Sequence, residues 1–358
     1  MSGCWSVVSR GCRAGMPGHE KSRVRREMNS RQQLLHLLAD GQWHSGEDLA
    51  RRLGVSRAAV WKQLGNLRDQ LGLNLHSVRG RGYRLPEKLE LLDADRIRDL
   101  LAGSTQEWIG QIEIHDTIAS TNSHFMEQAA GQLQTGDVCL AERQSQGRGR
   151  RGRPWVSPFG RNIYLSLFWE YGVAPAALSG VSLVAGLAVV RALRQLGVSG
   201  IGLKWPNDIL YGNQKVAGLL LEVVGEQAGP SRVVLGLGMN MRLTEAEGAA
   251  IDQPWTSLSQ VPGGDALSRN RTVAALLDSL VALLSRFEDE GLAALIPEWR
   301  EYDLYDGKRV LLQMGARQVQ GIHRGIEASG ALLLETDGGV RAYHGGEVSL
   351  RQCGTPGD

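Results

Sequence analysis

The sequence predicts an α+β chain of three units. These are a small helical unit ending in a hairpin, a central sheet with helices packed on one face, and a C-terminal barrel of short strands. Three observations predict it. Residues 32–71 carry apolar residues at helical spacing, broken by short turns, and an Arg/Gly-rich hairpin follows. Residues 90–305 alternate runs of short strands with two long apolar helices, the pattern of a mainly antiparallel sheet. Residues 306–352 hold five short strands punctuated by glycine, which suits a small barrel. The length of 358 residues, with 42% apolar and 22% charged residues, also suits two or three globular domains.

Residues 1–30 carry scattered Arg and Gly without the apolar run of a signal peptide. They read as a flexible basic leader, and Met28 is a candidate start just before the first periodic segment. Gln32–Ala39 then reads as a helix closed by Asp40-Gly41. Ser45-Gly-Glu-Asp48 has the spacing of a capping box, and Gly54 is the stop of that second helix. Ser56 caps a third helix, Arg57–Leu71, whose stripe is Val60, Leu64, Leu67 and Leu71. Two helices joined by a short glycine-containing turn form a helix-turn-helix, and Leu75–Leu85 adds a wing. Ser56, Arg57, Ala58 and Lys62 stand off the apolar stripe, as a helix entering a major groove needs. Arg79, Arg81 and Arg84 on the wing suit backbone phosphates. A plain packing module with a solvated basic face is the alternative.

Four segments of the central unit carry chemistry. Ser120-Thr-Asn122 follows a strand, Ile112–His115, and begins a helix. It is a capping turn, and the same hydroxyls and N–H groups can hold a small polar ligand. The loop from Gln144 through Gly147-Arg-Gly149-Arg-Arg-Gly152-Arg to Trp155 matches a dinucleotide fingerprint only superficially, because Pro154 and a strand follow instead of a helix. Its interleaved glycines and arginines suit an anion-wrapping loop. Lys204-Trp-Pro-Asn-Asp208 is a good turn; it also sets a lysine facing phosphate and a carboxylate facing Mg²⁺ or the nucleotide. Lys215 comes just before Gly218, where close approach is permitted. In Val233–Met241, Gly236 and Gly238 allow either tight helix packing or a ligand lying on the strand. Trp255, past a polar loop, could fold over a bound base. The two long helices are Leu178–Leu196 and Thr272–Phe287, the latter capped near Asn270.

Taken in this order, the Ser-Arg-Ala-Ala turn, the Gly-Arg-Gly-Arg-Arg-Gly loop and Lys-Trp-Pro-Asn-Asp resemble the family of bifunctional biotin protein ligases and biotin operon repressors. The resemblance covers about residues 31–352. It implies a winged helix-turn-helix at 31–87, a central mixed α/β catalytic domain of the class II synthetase and biotin ligase type at 88–305, and an SH3-like barrel at 306–352. The implied reaction joins biotin to ATP as biotinyl-5′-AMP, then transfers the acyl group to a lysine of a biotin carboxyl carrier protein. Ser120, Thr121, Asn122, Gln144, Arg148, Gly149, Arg150, Lys215 and Gly218 would contact biotin and the adenylate. Lys204, Asn207, Asp208, Asn240 and Trp255 would face the nucleotide. Arg150, Lys204 and Lys215 would stabilise developing negative charge. The resemblance also implies Mg²⁺, with Asp208 the candidate ligand, and an adenylate-bound homodimer on a palindromic operator. A lipoate-type ligase and a non-catalytic, ligand-responsive repressor are the alternatives.

Charge and cysteine refine this expectation. The net +2 divides into +4 for the leader (six basic, two acidic) and +5 for 31–86 (nine against four), with −7 for the remainder (25 against 32). A basic DNA-reading end thus joins an acidic body, in which the arginines of 148–153 are a local exception. The cysteines, Cys4, Cys12, Cys139 and Cys353, form no Cys-x-x-Cys, which points to a reducing, cytoplasmic setting. No uninterrupted apolar run reaches the ~18 residues of a membrane span.

Overall fold

A computed structural model of the chain describes residues 30–352 apart from 130, 226–228 and 345–347. The leader, Cys4, Cys12, Cys353 and the turn at Gly345-Gly346 lie outside the described residues.

Helices α1 (Ser30–Leu38), α2 (Gly46–Leu53) and α3 (Arg57–Leu71) precede a hairpin of β1 (His76–Val78) and β2 (Gly82–Arg84). Sequence explains the boundaries. Ser45 and Ser56 accept the backbone N–H of Asp48 and Ala59, and Gly54 takes the left-handed conformation that ends α2. Only half of the expected capping box forms, because the Asp48 carboxylate pairs with Arg51 and Arg52 instead. Leu34, Leu38, Leu49, Val60, Leu64 and Leu67 build the small core, which Phe159 of the central unit completes.

The central unit runs α4 (Ala94–Leu100), α5 (Gly103–Gln106), β3 (Ile112–His115), α6 (Thr121–Gln128), β4 (Val138–Ala141), β5 (Ile163–Tyr171) and α7 (Val181–Gln195). It continues with β6 (Ile201–Lys204), β7 (Asp208–Tyr211), β8 (Gln214–Gly225), β9 (Ser231–Met239), α8 (Glu245–Gly248), α9 (Arg269–Glu290) and α10 (Ile296–Glu301). One seven-stranded sheet, ordered β3-β4-β5-β9-β8-β7-β6, holds the strands. Within it β3 and β4 pair in parallel, and the other neighbouring strands pair antiparallel. Helices α7 and α9 cover one face with Leu187, Val190, Leu277 and Leu280 in the main core. Gly186 lets α7 sit close to the sheet: a Cβ there would lie 3.2 Å from Leu203.

Three expectations are corrected here. Helices do not lie on one face alone. Helix α6 packs on the opposite face, where Phe125 meets Cys139, Phe168 and Val234, because β4 and β5 are apolar on both sides. The cap of α9 is Ser268, which accepts the Arg271 N–H, rather than Asn270. The buried Asn270 side chain instead binds Glu90 and Leu91 and accepts the N–H of Asp93. Beside it, a buried Arg269–Glu142 ion pair of 2.7 Å fastens α9 to the end of β4. The segment Pro175–Gln195 is, against expectation, long and apolar enough to cross a membrane; its Ser and Gly do not lower its hydropathy enough. In the fold, 72% of its apolar window is buried in the core.

Strands β10 (Arg309–Met314), β11 (Arg317–Ile326), β12 (Leu332–Thr336), β13 (Gly339–Tyr343) and β14 (Val348–Gln352) form an antiparallel sheet ordered β13-β12-β11-β10-β14. Val310, Leu312, Leu332 and Leu334 join the core of the central unit. Buried Trp205 donates Nε1–H to the Gly330 carbonyl at 3.0 Å, and Ser179 donates to Ser329. The C-terminal unit is therefore docked directly behind the Lys204–Asp208 hairpin.

Candidate active site

A cavity of about 680 Å³ opens where the N-terminus of α6, the Arg/Gly loop, the β6–β7 hairpin and the middles of β8 and β9 converge. That size is typical of small-molecule sites. Ser120, Thr121, Asn122, Gln144, Arg148, Gly149, Arg150, Lys204, Asn207, Asp208, Lys215 and Gly218 all line it.

Its floor is a closed polar network. The Gln144 side-chain oxygen accepts the backbone N–H and hydroxyl of Thr121, at 2.9 and 3.2 Å. Buried Ser166, on β5, lies 2.8 Å from the Thr121 hydroxyl and donates to the Asn122 carbonyl oxygen or to that hydroxyl. Asn122 donates to Leu220 O and to Glu222. Gly236 makes this possible: a Cβ there would lie 2.3 Å from Asn122 Oδ1. Two residues further along β9, Gly238 supports Trp155, whose ring would be 2.4 Å from a Cβ. Gly236 thus packs against helix α6, Gly238 against the loop residue Trp155, and both line the cavity.

The remaining walls carry charge. Arg148 donates to Ser123 and to both oxygens of Glu222. Arg150 spans the opening to Asn207 Oδ1, at 3.0 Å. Burial lowers its pKa and the Asp208 carboxylate opposes that, so a cation is held partly desolvated. Lys204 and Asp208 face each other across the hairpin in antiparallel register. Lys215 Nζ lies 2.7 Å from Asp208 Oδ1 and over the Trp155 ring, while Lys204 lies over Tyr305. The site is a cradle of cations in which Lys215 compensates Asp208 and Arg148 compensates Glu222, suited to an anionic ligand with an apolar part against Trp155, Leu165 and Leu237.

A second face lies on α3 and the hairpin. Ser56, Arg57, Ala58 and Lys62 are exposed on one helix, with Arg79 and Arg81 exposed at the hairpin tip. Trp61 stands among them, 71% exposed. Arg84, expected at phosphates, turns inward to cover Trp43 at 4.9 Å.

The sequence profile of the biotin/lipoate A/B protein ligase family matches residues 115–240. An HTH domain profile matches 30–84, and the biotin protein ligase C-terminal domain matches 307–351. The bifunctional ligase/repressor BirA of Salmonella typhimurium is 44% identical over 89% of this chain and 97% of its own. The chain belongs to the BirA family of bifunctional ligase/repressors. The Escherichia coli member is 43% identical over the same shares. A solved biotin protein ligase from Aquifex aeolicus, in complex with biotin and ATP, is 27% identical with a TM-score of 0.58, covering 68% of this chain and all of that one.

Two residues expected at the nucleotide in this BirA-family chain do not line the cavity. Asn240 is buried, and its side-chain amide donates to Thr256 O. Trp255 packs on Gly248, where a Cβ would lie 2.1 Å from its ring. Both act from behind the wall: Lys215 N donates to Pro254 O and Thr256 N to Lys215 O, so this segment fixes the Lys215 backbone. Trp155, Ser166, Glu222 and Tyr305 were not anticipated at the site. For Trp155 a signal existed, an aromatic closing a glycine-rich loop opposite a strand with two glycines. Ser166 and Glu222 had none, since only strand register brings them to Asn122.

Proposed function

We propose that the chain is an ATP-dependent biotin–[biotin carboxyl carrier protein] ligase and a biotin-responsive repressor. The observation that carries this is one cavity where Arg148, Arg150, Lys204 and Lys215 surround a polar floor and an apolar patch of Trp155, Leu165 and Leu237, in a chain that also bears a helix-turn-helix. In the first step a biotin carboxylate oxygen attacks the α-phosphorus of ATP, and the bond to the bridging oxygen breaks to release pyrophosphate. In the second a carrier lysine amine attacks the acyl carbon, AMP leaves, and the amine loses a proton. No side-chain nucleophile is required. Arg150, Lys204 and Lys215 stabilise the charge that builds on the phosphates. Ser120, Thr121, Asn122, Gln144, Arg148, Gly149 and Gly218 hold biotin and the acyl group. Asn207 and Asp208 sit on the nucleotide side, with Asn240 and Trp255 shaping that wall.

Mg²⁺ belongs to this proposal only as a companion of the nucleotide. Asp208 does not fit as its resident ligand, because Lys215 holds Oδ1 at 2.7 Å and Arg150 lies close by. The proposed division is a leader at 1–30, a DNA-binding unit at 31–87, a catalytic unit at 88–305 and a barrel at 306–352. Ser56, Arg57, Ala58, Lys62, Arg79 and Arg81 read operator DNA, as a homodimer when the adenylate is bound, in the cytoplasm.

Mass spectrometry of a carrier domain incubated with protein, ATP, Mg²⁺ and biotin tests the catalytic half. A biotinyl mass on one lysine is expected, and lipoate in a parallel reaction should give none. Absence of pyrophosphate release with biotin refutes the ligase reading. If biotinyl-AMP leaves oligomeric state and operator affinity unchanged, the coupling is refuted.

A further inference from the structure

On the α6 face of the sheet, away from the cavity, four potential metal ligands converge. Glu113 and His115 project from β3 at i and i+2, on one side of the strand. Cys139 is the direct neighbour of Glu113 across the parallel β3–β4 pair. His124 comes from the helix packed above. One ligand atom from each lies within 4.8 Å of all the others. His124 Nε2 and His115 Nε2 stand 3.0 and 3.5 Å from Glu113 Oε2. The imidazole rings meet edge-on with centroids 5.0 Å apart.

We propose that Glu113, His115, His124 and Cys139 form a binding site for one borderline-soft divalent transition metal ion, zinc in class, that clamps α6 to the edge of the sheet. Two imidazoles, one thiolate and one carboxylate are a four-coordinate zinc donor set. Bonds of about 2.0–2.3 Å in a tetrahedron place ligands roughly 3.3–3.8 Å apart, so the cluster needs only small side-chain adjustments. A second observation points the same way. The His115 Nε2 atom is buried without a hydrogen-bond partner, although a carboxylate is close. An orphaned imidazole nitrogen is costly unless something occupies it. The layout is also graded, since Cys139 is fully buried at the base while the other three ligands are partly exposed, leaving an entry path.

Metal binding converts the Cys139 thiol to thiolate and releases its proton to solvent. The ion would tie together three segments that otherwise meet through apolar packing and His–carboxylate contacts. Helix α6 also supplies Thr121 and Asn122 to the cavity, and Ser123 accepts from Arg148. The clamp therefore fixes the helix on which the proposed ligand contacts are mounted.

The test uses the full chain, freed of metal by chelation and titrated with Co²⁺ and then with Zn²⁺ against a chromophoric chelator. One equivalent is expected, with a thiolate-to-Co²⁺ charge-transfer band and tetrahedral d–d bands that Zn²⁺ abolishes. Zn²⁺ should raise the unfolding midpoint. His124→Gln should weaken zinc by at least the roughly ten- to hundredfold that losing a mere hydrogen-bond partner of a ligand typically costs. Cys139→Ser should also erase the charge-transfer band. Should Cys139→Ser fail to fold, His115→Gln provides the same affinity test on the partly exposed strand. Substoichiometric binding overturns the proposal. So does binding that persists in His124→Gln and His115→Gln, which would place the metal elsewhere.

Discussion

Replacing Gly238 by alanine probes how the cavity is built. The new Cβ would lie 2.4 Å from Trp155 Cε2 and 2.7 Å from Cζ2 and Nε1. Carbon–carbon contact is comfortable at roughly 3.5 Å, so the ring must move by about 1 Å. It is a rigid ring with little freedom to bend away. Its backbone is fixed by the Trp155 N–H donating to Gly147 O at 2.8 Å, and Lys215 lies over it at 5.3 Å. Overpacking of this kind costs about 1–3 kcal/mol. If that strain is relieved only when Trp155 leaves the cavity, the same energy appears in ligand affinity, about five- to 150-fold. Calorimetric titration with biotin measures the affinity, and urea unfolding at fixed pH measures the stability. The reasoning is refuted if Gly238→Ala binds biotin within twofold of the parent and unfolds within about 0.5 kcal/mol of it.

Other predictions follow from separate parts of the fold. Arg150→Gly should leave unfolding unchanged and raise the off-rate of biotinyl-AMP, measured by stopped-flow chase, because the bridge to Asn207 is lost; an unaltered off-rate refutes the loop's role. Lys62→Ala should weaken operator binding and lower the slope of log K against log salt by about one unit; an unchanged slope means Lys62 meets no phosphate. Asp303 and His323 lie buried with Nε2 and Oδ2 3.2 Å apart, both without a hydrogen bond. Burial pushes Asp303 up to about 7 and His323 down to about 4, while Asp306, Arg300 and Lys308 exert smaller charge effects around them. The aspartate's contribution is full below 3.8 and lost as pH rises through 7; the histidine's is full above 6.5 and lost as pH falls through 4. The two oppose each other between 4 and 6.5. Asp303→Asn should therefore gain stability with pH across that window, by up to about 1.4 kcal/mol per unit, where the parent is flat. Urea unfolding across pH decides it, and identical profiles refute the assignment.

The legible parts of the chain were those fixed by local chemistry. Ser45 and Ser56 cap helices because their hydroxyls reach an N–H three residues on, and Gly54 ends α2 because the turn requires positive φ. The Arg/Gly loop and the Lys204–Asp208 hairpin were readable for the same reason, since each is a contiguous run. What escaped depends on register and on which face a strand presents. Asn240 resembles a polar site residue, yet its amide is used by a carbonyl sixteen residues away. Helix α6 was expected on the same face as α7, but strands apolar on both sides accept helices on both. The cluster at 113, 115, 124 and 139 matches no ligand spacing, because three separate elements supply it.

The loop over the cavity divides into two mechanical halves. Arg148 is anchored to the floor by Ser123 and by both oxygens of Glu222, and the same carboxylate accepts Asn122. The first half of the loop thus reports directly on the polar network under the ligand. Beyond it, Arg151 has φ 59° and Gly152 has φ 70°, a tight left-handed turn that aims Arg150 across to Asn207. An L residue such as Arg151 holds that conformation at a cost, and contacts on either side must maintain it. A ligand phosphate that takes Arg150 from Asn207 would relax the second half without disturbing the first. Closure and release can therefore be confined to residues 149–153, while the polar floor stays assembled.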